Sequence, residues 1–379
     1  MDYAATTPTD PAVVKAMSPY FNKKFANPAS LYSLGLEAKE ALEKSRIKIA
    51  EKINARPEEI IFTASATESN NLAIKGFCFA NKNSGNHIII SAIEHDCVLA
   101  SAAWLEKQGF ELTIVNPEKN GVINPEKIAA AIKPTTILVS IMAVNNEIGT
   151  IQPISEIGKI CRKKNISFHT DAAQAFGKIP LDVKSANIDL MTLSSHKVYG
   201  PKGVGCLFVG QGIKIEPILH GGGQEFGMRS GTVNVAGIVG FAKAAEMIVD
   251  NMEAEQKRIS ELARKLVAGA KQTIADVELN GDEKIKVPNI VNLRFARIEG
   301  ESLLVKLDIA GVEVSTGSAC SSPKLKPSHV LMSCGATPEQ AHGSVRFSIG
   351  RFTTQEDIDR VLAILPKAVD SLRKISPIK

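Results

Sequence analysis

Between about residue 60 and residue 210 the chain alternates short runs rich in β-formers with stretches of helical spacing, and this limits the fold more than any other feature of its 379 residues. The β-rich runs are Ile60 to Thr63, His87 to Ile93, Glu111 to Val115, Thr136 to Val144, Ser167 to Thr170, Leu190 to Leu193 and Val204 to Val209. Helical patterns lie between them over Val98 to Lys107, Pro125 to Ile132 and Ile154 to Lys164. A strand can pair in parallel with the next only through a crossover, usually a helix, so the alternation predicts an α/β fold with a mainly parallel seven-stranded sheet covered on both faces. In such sheets ligands gather beyond the carboxyl ends of the strands. Thr67, His95, Asn146, Asp171 and Lys197 each follow one of these runs.

Beyond the glycines at 221 to 223, apolar residues at Ile238, Phe241, Ala245, Ile248 and Met252, then Ile259, Leu262 and Leu266, keep the 3/4 spacing of one long amphipathic helix. It predicts a link between a large domain, residues 13–254, and a smaller α/β domain, residues 255–379, joined by the segment 1–12. With 44% hydrophobic and 22% charged residues the chain can bury a large core. The net charge of +5 comes from 45 basic and 40 acidic residues without a basic block, which argues against nucleic acid as a ligand and allows recruitment of an acidic protein partner. Met1 to Pro8 has neither the basic segment nor the apolar core of a leader, and no apolar stretch approaches the ~20 residues of a membrane span, so a cytoplasmic protein without membrane contact is expected. The six cysteines, at 78, 97, 161, 206, 320 and 334, form no CxxC pair and suit a reduced compartment, with Cys78 and Cys206 as apolar filler.

The chemistry concentrates at Lys197, in Leu193-Ser194-Ser195-His196-Lys197-Val198-Tyr199-Gly200. An apolar run that ends in one amine, flanked by hydroxyls and an imidazole, suits a lysine held as an imine to a phosphorylated carbonyl cofactor, pyridoxal phosphate; the rival is the polar shoulder of a turn. Asp171, at a neighbouring strand end, is placed to pair with a ring nitrogen of that cofactor. Thr67, at a strand-to-helix turn, reads either as a phosphate contact or as part of a plain helix start. His95 suits stacking on a ring or moving protons, and adjacency speaks against a metal site made of His95, Asp96 and Cys97. Asn146 follows a strand as a ligand amide or a turn residue, and Arg346 on a strand-like run suits either a carboxylate or a structural ion pair. The segment from Gly221 to Thr232 reads as anion-binding or as a solvated loop. Cys320, among small residues, prolines and lysines, sits where a reactive thiolate would be placed, a neutral thiol being the general expectation.

Taken in order, Asp2-Tyr3-Ala4-Ala5-Thr6-Thr7-Pro8, Asn27-Pro28-Ala29-Ser30, Ala66-Thr67-Glu68-Ser69-Asn70-Asn71, Glu94-His95, Asn145-Asn146-Glu147-Ile148-Gly149, Asp171-Ala172-Ala173-Gln174, Ser195-His196-Lys197, Arg229-Ser230-Gly231-Thr232, Ser318-Ala319-Cys320 and Arg346-Phe347-Ser348 resemble the cysteine desulfurases of the NifS/IscS type, within the class-V branch of fold-type-I pyridoxal-phosphate enzymes. The resemblance spans essentially the whole chain. It implies that Lys197 bonds the cofactor, Asp171 pairs with the pyridine nitrogen, Gln174 binds the ring hydroxyl and His95 stacks on the ring. Thr67, Ser194 and His196 would hold the phosphate, and Thr232 the phosphate of the other subunit of a homodimer. Asn146 and Arg346 would bind the carboxylate of L-cysteine, and Cys320 would accept its sulfur as a persulfide. Cys320 would also serve as a transient iron–sulfur ligand, with an iron–sulfur scaffold or other thiolation protein as acceptor. A selenocysteine lyase or a class-V aminotransferase is the alternative of the same fold. Ser65 stands where the family usually has glycine, which predicts a shifted or strained turn, and Tyr32 replaces a frequent histidine.

Overall fold

The computed structural model describes residues 1–317 and 326–376. Seven strands form the main sheet: β1 (Ile60–Thr63), β2 (His87–Ser91), β3 (Glu111–Val115), β4 (Thr136–Ser140), β5 (Ser167–Asp171), β6 (Leu190–Ser194) and β7 (Gly205–Val209), in the order β1-β7-β6-β5-β4-β2-β3. The pairs β2–β3, β2–β4, β4–β5 and β5–β6 are parallel, and β7 alone runs against both its neighbours. Every residue of β1, β2, β4, β6 and β7 is buried, as expected of strands covered on both faces, whereas the edge strand β3 is half solvated. Of the run read as a strand to Val144, the regular strand ends at Ser140; residues 141 to 144 continue as buried chain that still donates to β5, Ile141 N to His169 O (3.1 Å) and Ala143 N to Asp171 O (2.9 Å), and leads into the cleft.

The single long helix expected after residue 235 is two helices, Val235–Asp250 and Met252–Thr273. At Asn251 the backbone leaves helical geometry (φ −108, ψ 9), so the apolar stripe turns from one core to another without losing its 3/4 spacing. Ile238, Phe241, Ala245 and Ile248 pack under the main sheet, while Ile259, Leu262 and Leu266 pack with a second cluster that holds Leu293, Phe347 and Leu365. That second cluster underlies an antiparallel sheet of β8 (Val277–Leu279), β9 (Ile290–Phe295) and β10 (Ser344–Ser348), ordered β10-β9-β8. The N-terminal segment lies along β10: Ser348 N donates to Met1 O (2.8 Å), and Ala4 N donates to Ser348 Oγ (2.9 Å). Gly350 is needed for this seating, since a Cβ there would stand 2.3 Å from the Tyr3 ring.

Candidate active site

Strands β1, β2, β4, β5 and β6 open at their carboxyl ends onto a cleft of about 180 Å³. Lys197, Asp171, His95, Thr67, Gln174, Ser194, His196, Asn146 and Arg346 all line it, so nearly all of the residues singled out from the sequence meet in one place. Thr232 does not; it lines a separate surface cavity with Phe21, Phe25 and Asn27. Cys320 lies outside the described residues.

Lys197 follows β6 on a short 3-10 turn, Ser195–Lys197. Its amine donates to the carbonyls of Ala4 and Ala5, both at 2.7 Å, so the N-terminal segment holds the side chain from behind. Asp171 closes β5 and is 5% exposed. Its Oδ1 accepts from Ala173 N (2.9 Å) and its Oδ2 from Asn70 Nδ2 (2.7 Å), which fixes the carboxylate plane.

The turn after β1 corrects an expectation. Ser65 has φ −171 and ψ 165, extended backbone open to any residue, and its hydroxyl accepts from Glu68 N (3.1 Å) as the N-cap of helix Ala66–Asn71. The serine therefore replaces glycine without strain and contributes a cap. The backbone N–H groups of Ala66 and Thr67 have no intrahelical acceptor and stand at the cleft. Glu68 would repel an anion there, but Arg229 Nε binds its Oε1 (2.7 Å), offsetting the charge and tying the loop before Thr232 to the helix start. Gly205 lets this start approach β6 and β7, since a Cβ there would lie 2.8 Å from Ser65 C. The Ser194 hydroxyl is buried in the same wall without a partner among the described residues, which marks a place for an oxygen-rich ligand. Burial, then the charges of Lys197 and Lys202, push His196 down to about 4, so it acts there as a neutral imidazole. These donors around an enclosed lysine fit a phosphorylated carbonyl cofactor such as pyridoxal phosphate: free N–H groups for a phosphate, and an amine, an imidazole and a carboxylate for a ring.

At the opposite end Arg346 is 1% exposed. Its Nη2 donates to Asp2 Oδ1 (2.9 Å) and its Nη1 to Asn146 O (2.9 Å), while Nε has no partner among the described residues. The ion-pair reading of Arg346 is met by Asp2, which orients the fork, and a buried N–H without a partner among the described residues remains on a residue that lines the cleft. Gln174 is engaged on both sides, donating from Nε2 to Ala4 O (2.9 Å) and accepting from Lys178 Nζ (2.7 Å). Burial, then the positive charges of Lys197 and Arg346, push the Lys178 amine down to about 7.

Sequence reasoning gave no role to Asn70, Lys178, Cys97 or the Ala4 and Ala5 carbonyls. A polar Asn70 inside a helix was the available signal, because asparagine is disfavoured there unless its amide has a partner. Backbone carbonyls carry no such signal. Among the described residues no three His, Cys, Asp or Glu side chains converge on a metal site, and Cys78 and Cys206 are buried apolar filler as expected. No described helix is long and apolar enough to cross a membrane.

Comparison with known proteins agrees with this geometry. Residues 1–361 match the family model described as aminotransferase class-V. Over 380 residues the chain is 50% identical to the cysteine desulfurase IscS of Clostridium botulinum, covering all of this chain and 96% of the relative. Among solved structures, a NifS-like protein superposes with a TM-score of 0.92 at 36% identity, covering 98% of this chain and 99% of that one. SspA in complex with cysteine superposes with a TM-score of 0.84, also at 36% identity, over 93% and 99% of the two chains.

Proposed function

The chain belongs to the class-V aminotransferase family, and from that premise we infer that it is a pyridoxal-phosphate-dependent cysteine desulfurase, converting L-cysteine to L-alanine and leaving the sulfur as a persulfide on a cysteine of the chain. The observation that carries this reading is Lys197 and a doubly hydrogen-bonded Asp171 on the wall of one cleft, with an orphaned arginine N–H at its far end.

Pyridoxal phosphate, when bound, supplies a carbonyl that condenses with amines and a cationic ring that takes up an electron pair. Lys197 would bond it and serve as the base for the α-proton, its amine oriented by the Ala4 and Ala5 carbonyls. Asp171 would pair with the ring nitrogen. Ser194, Thr67 and His196 would hold the phosphate, Gln174 the ring hydroxyl, and His95 would stack on the ring. Arg346 and Asn146 grip the substrate carboxylate. Cys320, as thiolate, would attack the substrate sulfur: an S–S bond forms, the C–S bond breaks, the electron pair passes to Cβ, which His95 or Lys197 protonates, and return of the α-proton to Cα completes alanine.

The finer assignments are proposals too. A homodimer is supported by Thr232, which lies off this cleft in a surface shared with exposed Phe21 and Phe25 and would reach the partner's phosphate. A division at residue 254, with segment 1–12 joined to the C-terminal unit, is supported by the separate apolar clusters and by the bonds of Met1 and Ala4 to Ser348. The sulfur acceptor would be an iron–sulfur scaffold or another thiolation protein, Cys320 would transiently ligate iron, and the cytoplasm is the expected setting.

The test is Cys320→Ser. It should bind cofactor and L-cysteine normally yet release almost no alanine, and the wild type without reductant should gain one sulfur on the peptide containing Cys320 and none on Cys334. Alanine formation at the wild-type rate in the variant would move the assignment to a selenocysteine lyase or aminotransferase.

A further inference from the structure

Cys97 forms part of the cleft wall, although the proposed chemistry assigns it nothing. Its sulfur lies 3.0 Å from His95 Nδ1 and 3.1 Å from Asn70 Nδ2. Donor and acceptor roles along this chain of groups follow from the partners. Asp171 Oδ2 accepts, so the Asn70 atom at 2.7 Å is the amide nitrogen, and its second N–H points to the sulfur. At the other end the backbone N–H of Cys97 donates to His95 Nδ1 (3.2 Å), because His95 is the N-cap of helix Asp96–Glu106. Nδ1 is then an acceptor, and the imidazole proton sits on Nε2. The sulfur takes a hydrogen bond from Asn70, with the Thr67 side chain also acting on it, and gives its own S–H to Nδ1. Burial, and after it the carboxylate of Asp171, push the Cys97 thiol up to about 12, so it retains that proton at neutral pH.

We propose that Cys97 is a positioning residue, whose thiol, together with its own backbone N–H, locks His95 in the Nε2–H tautomer and couples that imidazole through Asn70 to Asp171. The described residues offer His95 Nε2 no hydrogen-bond partner, so the proton it carries remains available in a cleft that the ring lines. A neutral histidine with its proton on that nitrogen can donate to a carbon or heteroatom without first taking up a proton from solvent. The same chain joins the group that would hold the ring nitrogen to the group that would stack on the ring, so the orientation of one constrains the other. The catalytic consequence rests on the reading of this cleft as the cofactor site; the hydrogen-bond chain itself is tested without turnover.

The experiment is nitrogen-15 spectroscopy of histidine-labelled protein, with the His95 signals assigned by their loss in His95→Gln. In the wild type His95 should show an unprotonated Nδ1, shifted upfield by the bonds it accepts, and a protonated Nε2. In Cys97→Ala the Nδ1 signal should move downfield, towards a nitrogen with fewer donors, and in Cys97→Ser it should stay near the wild-type position because a hydroxyl can both accept and donate. Alanine formation should follow the same order: kcat about five-fold lower in Cys97→Ala, the effect of one neutral hydrogen bond, with KM unchanged and most of the loss recovered in Cys97→Ser. A protonated Nδ1 in the wild type would overturn the assignment, and so would an unmoved Nδ1 signal in Cys97→Ala. Absence of desulfurase activity with the expected nitrogen shifts would instead count against the function and leave the positioning chain standing.

Discussion

Lys178, a residue outside the expected set, shows how the charges of the cleft act on a neighbour enclosed behind its wall. Its amine, held by Gln174 Oε1, lies behind the wall that carries Lys197, and both lysines border one small cavity. Burial lowers its folded-state titration from the ordinary 10.5 to about 7, so between those values the unfolded chain binds more protons than the folded one. Stability from this group therefore rises with pH across the window, and the cost of enclosing a charge is greatest below it. Lys178→Met should be more stable than the wild type near pH 7 by on the order of 2 kcal/mol, and the difference should shrink as pH rises and vanish only above the ordinary lysine value of 10.5. Paired thermal melts at a series of pH values would check this; a difference independent of pH would mean that the amine is charged in the folded protein throughout.

Two elements build the end of the cleft proposed for the phosphate, and each has an identifiable fastening. The Ser65 hydroxyl caps helix Ala66–Asn71, so Ser65→Ala should cost about 1 kcal/mol, whereas Ser65→Gly should cost only a few tenths. Glycine should not tighten cofactor binding, because the serine has no positive φ to relieve; equilibrium unfolding and cofactor titration of both variants would decide. The loop that precedes Thr232 has two successive residues in the left-handed region, Glu225 (φ 48) and Phe226 (φ 57). A buried fork holds it there: Glu225 accepts from Arg46 Nη1 (2.8 Å), Arg46 Nη2 (2.9 Å) and Phe62 N (2.7 Å). Glu225→Gln leaves the buried Arg46 with only the half-exposed Glu43, at 3.2 Å, as counter-charge, and should lower stability by about 1–3 kcal/mol with faster hydrogen exchange over residues 221–231. Normal exchange there would show that the loop does not depend on the pair.

At the scale of the molecule, the exposed apolar side chains Phe21, Phe25, Leu31 and Tyr32 lie on the N-terminal approach to the large core, and Phe21 and Phe25 share a surface cavity with Thr232. If a second copy covers them, the wild type should sediment as a dimer at micromolar concentration. A Phe21→Asp, Phe25→Asp double variant should sediment as a monomer with cofactor affinity at least ten-fold weaker, and an unchanged sedimentation coefficient would place the interface elsewhere. At this scale the architecture was legible because its signals are local: buried strands show as unbroken apolar runs, and the residues at their ends show as polar punctuation. Strand direction was not, since the apolar run of β7 looks the same whether it runs with or against β6. Nor was the break at Asn251, where the apolar spacing continues across a bend. Asn70 and Cys97 escaped notice because their meaning lies in partners brought together by folding, 101 residues apart in the case of Asn70 and Asp171. The N-terminal segment carries this furthest, since Asp2 orients Arg346 and Ala4 and Ala5 hold Lys197. Asp2 must wait for a partner 344 residues further along, so a partly made chain that lacks β10 cannot assemble the cleft and liberates no sulfur.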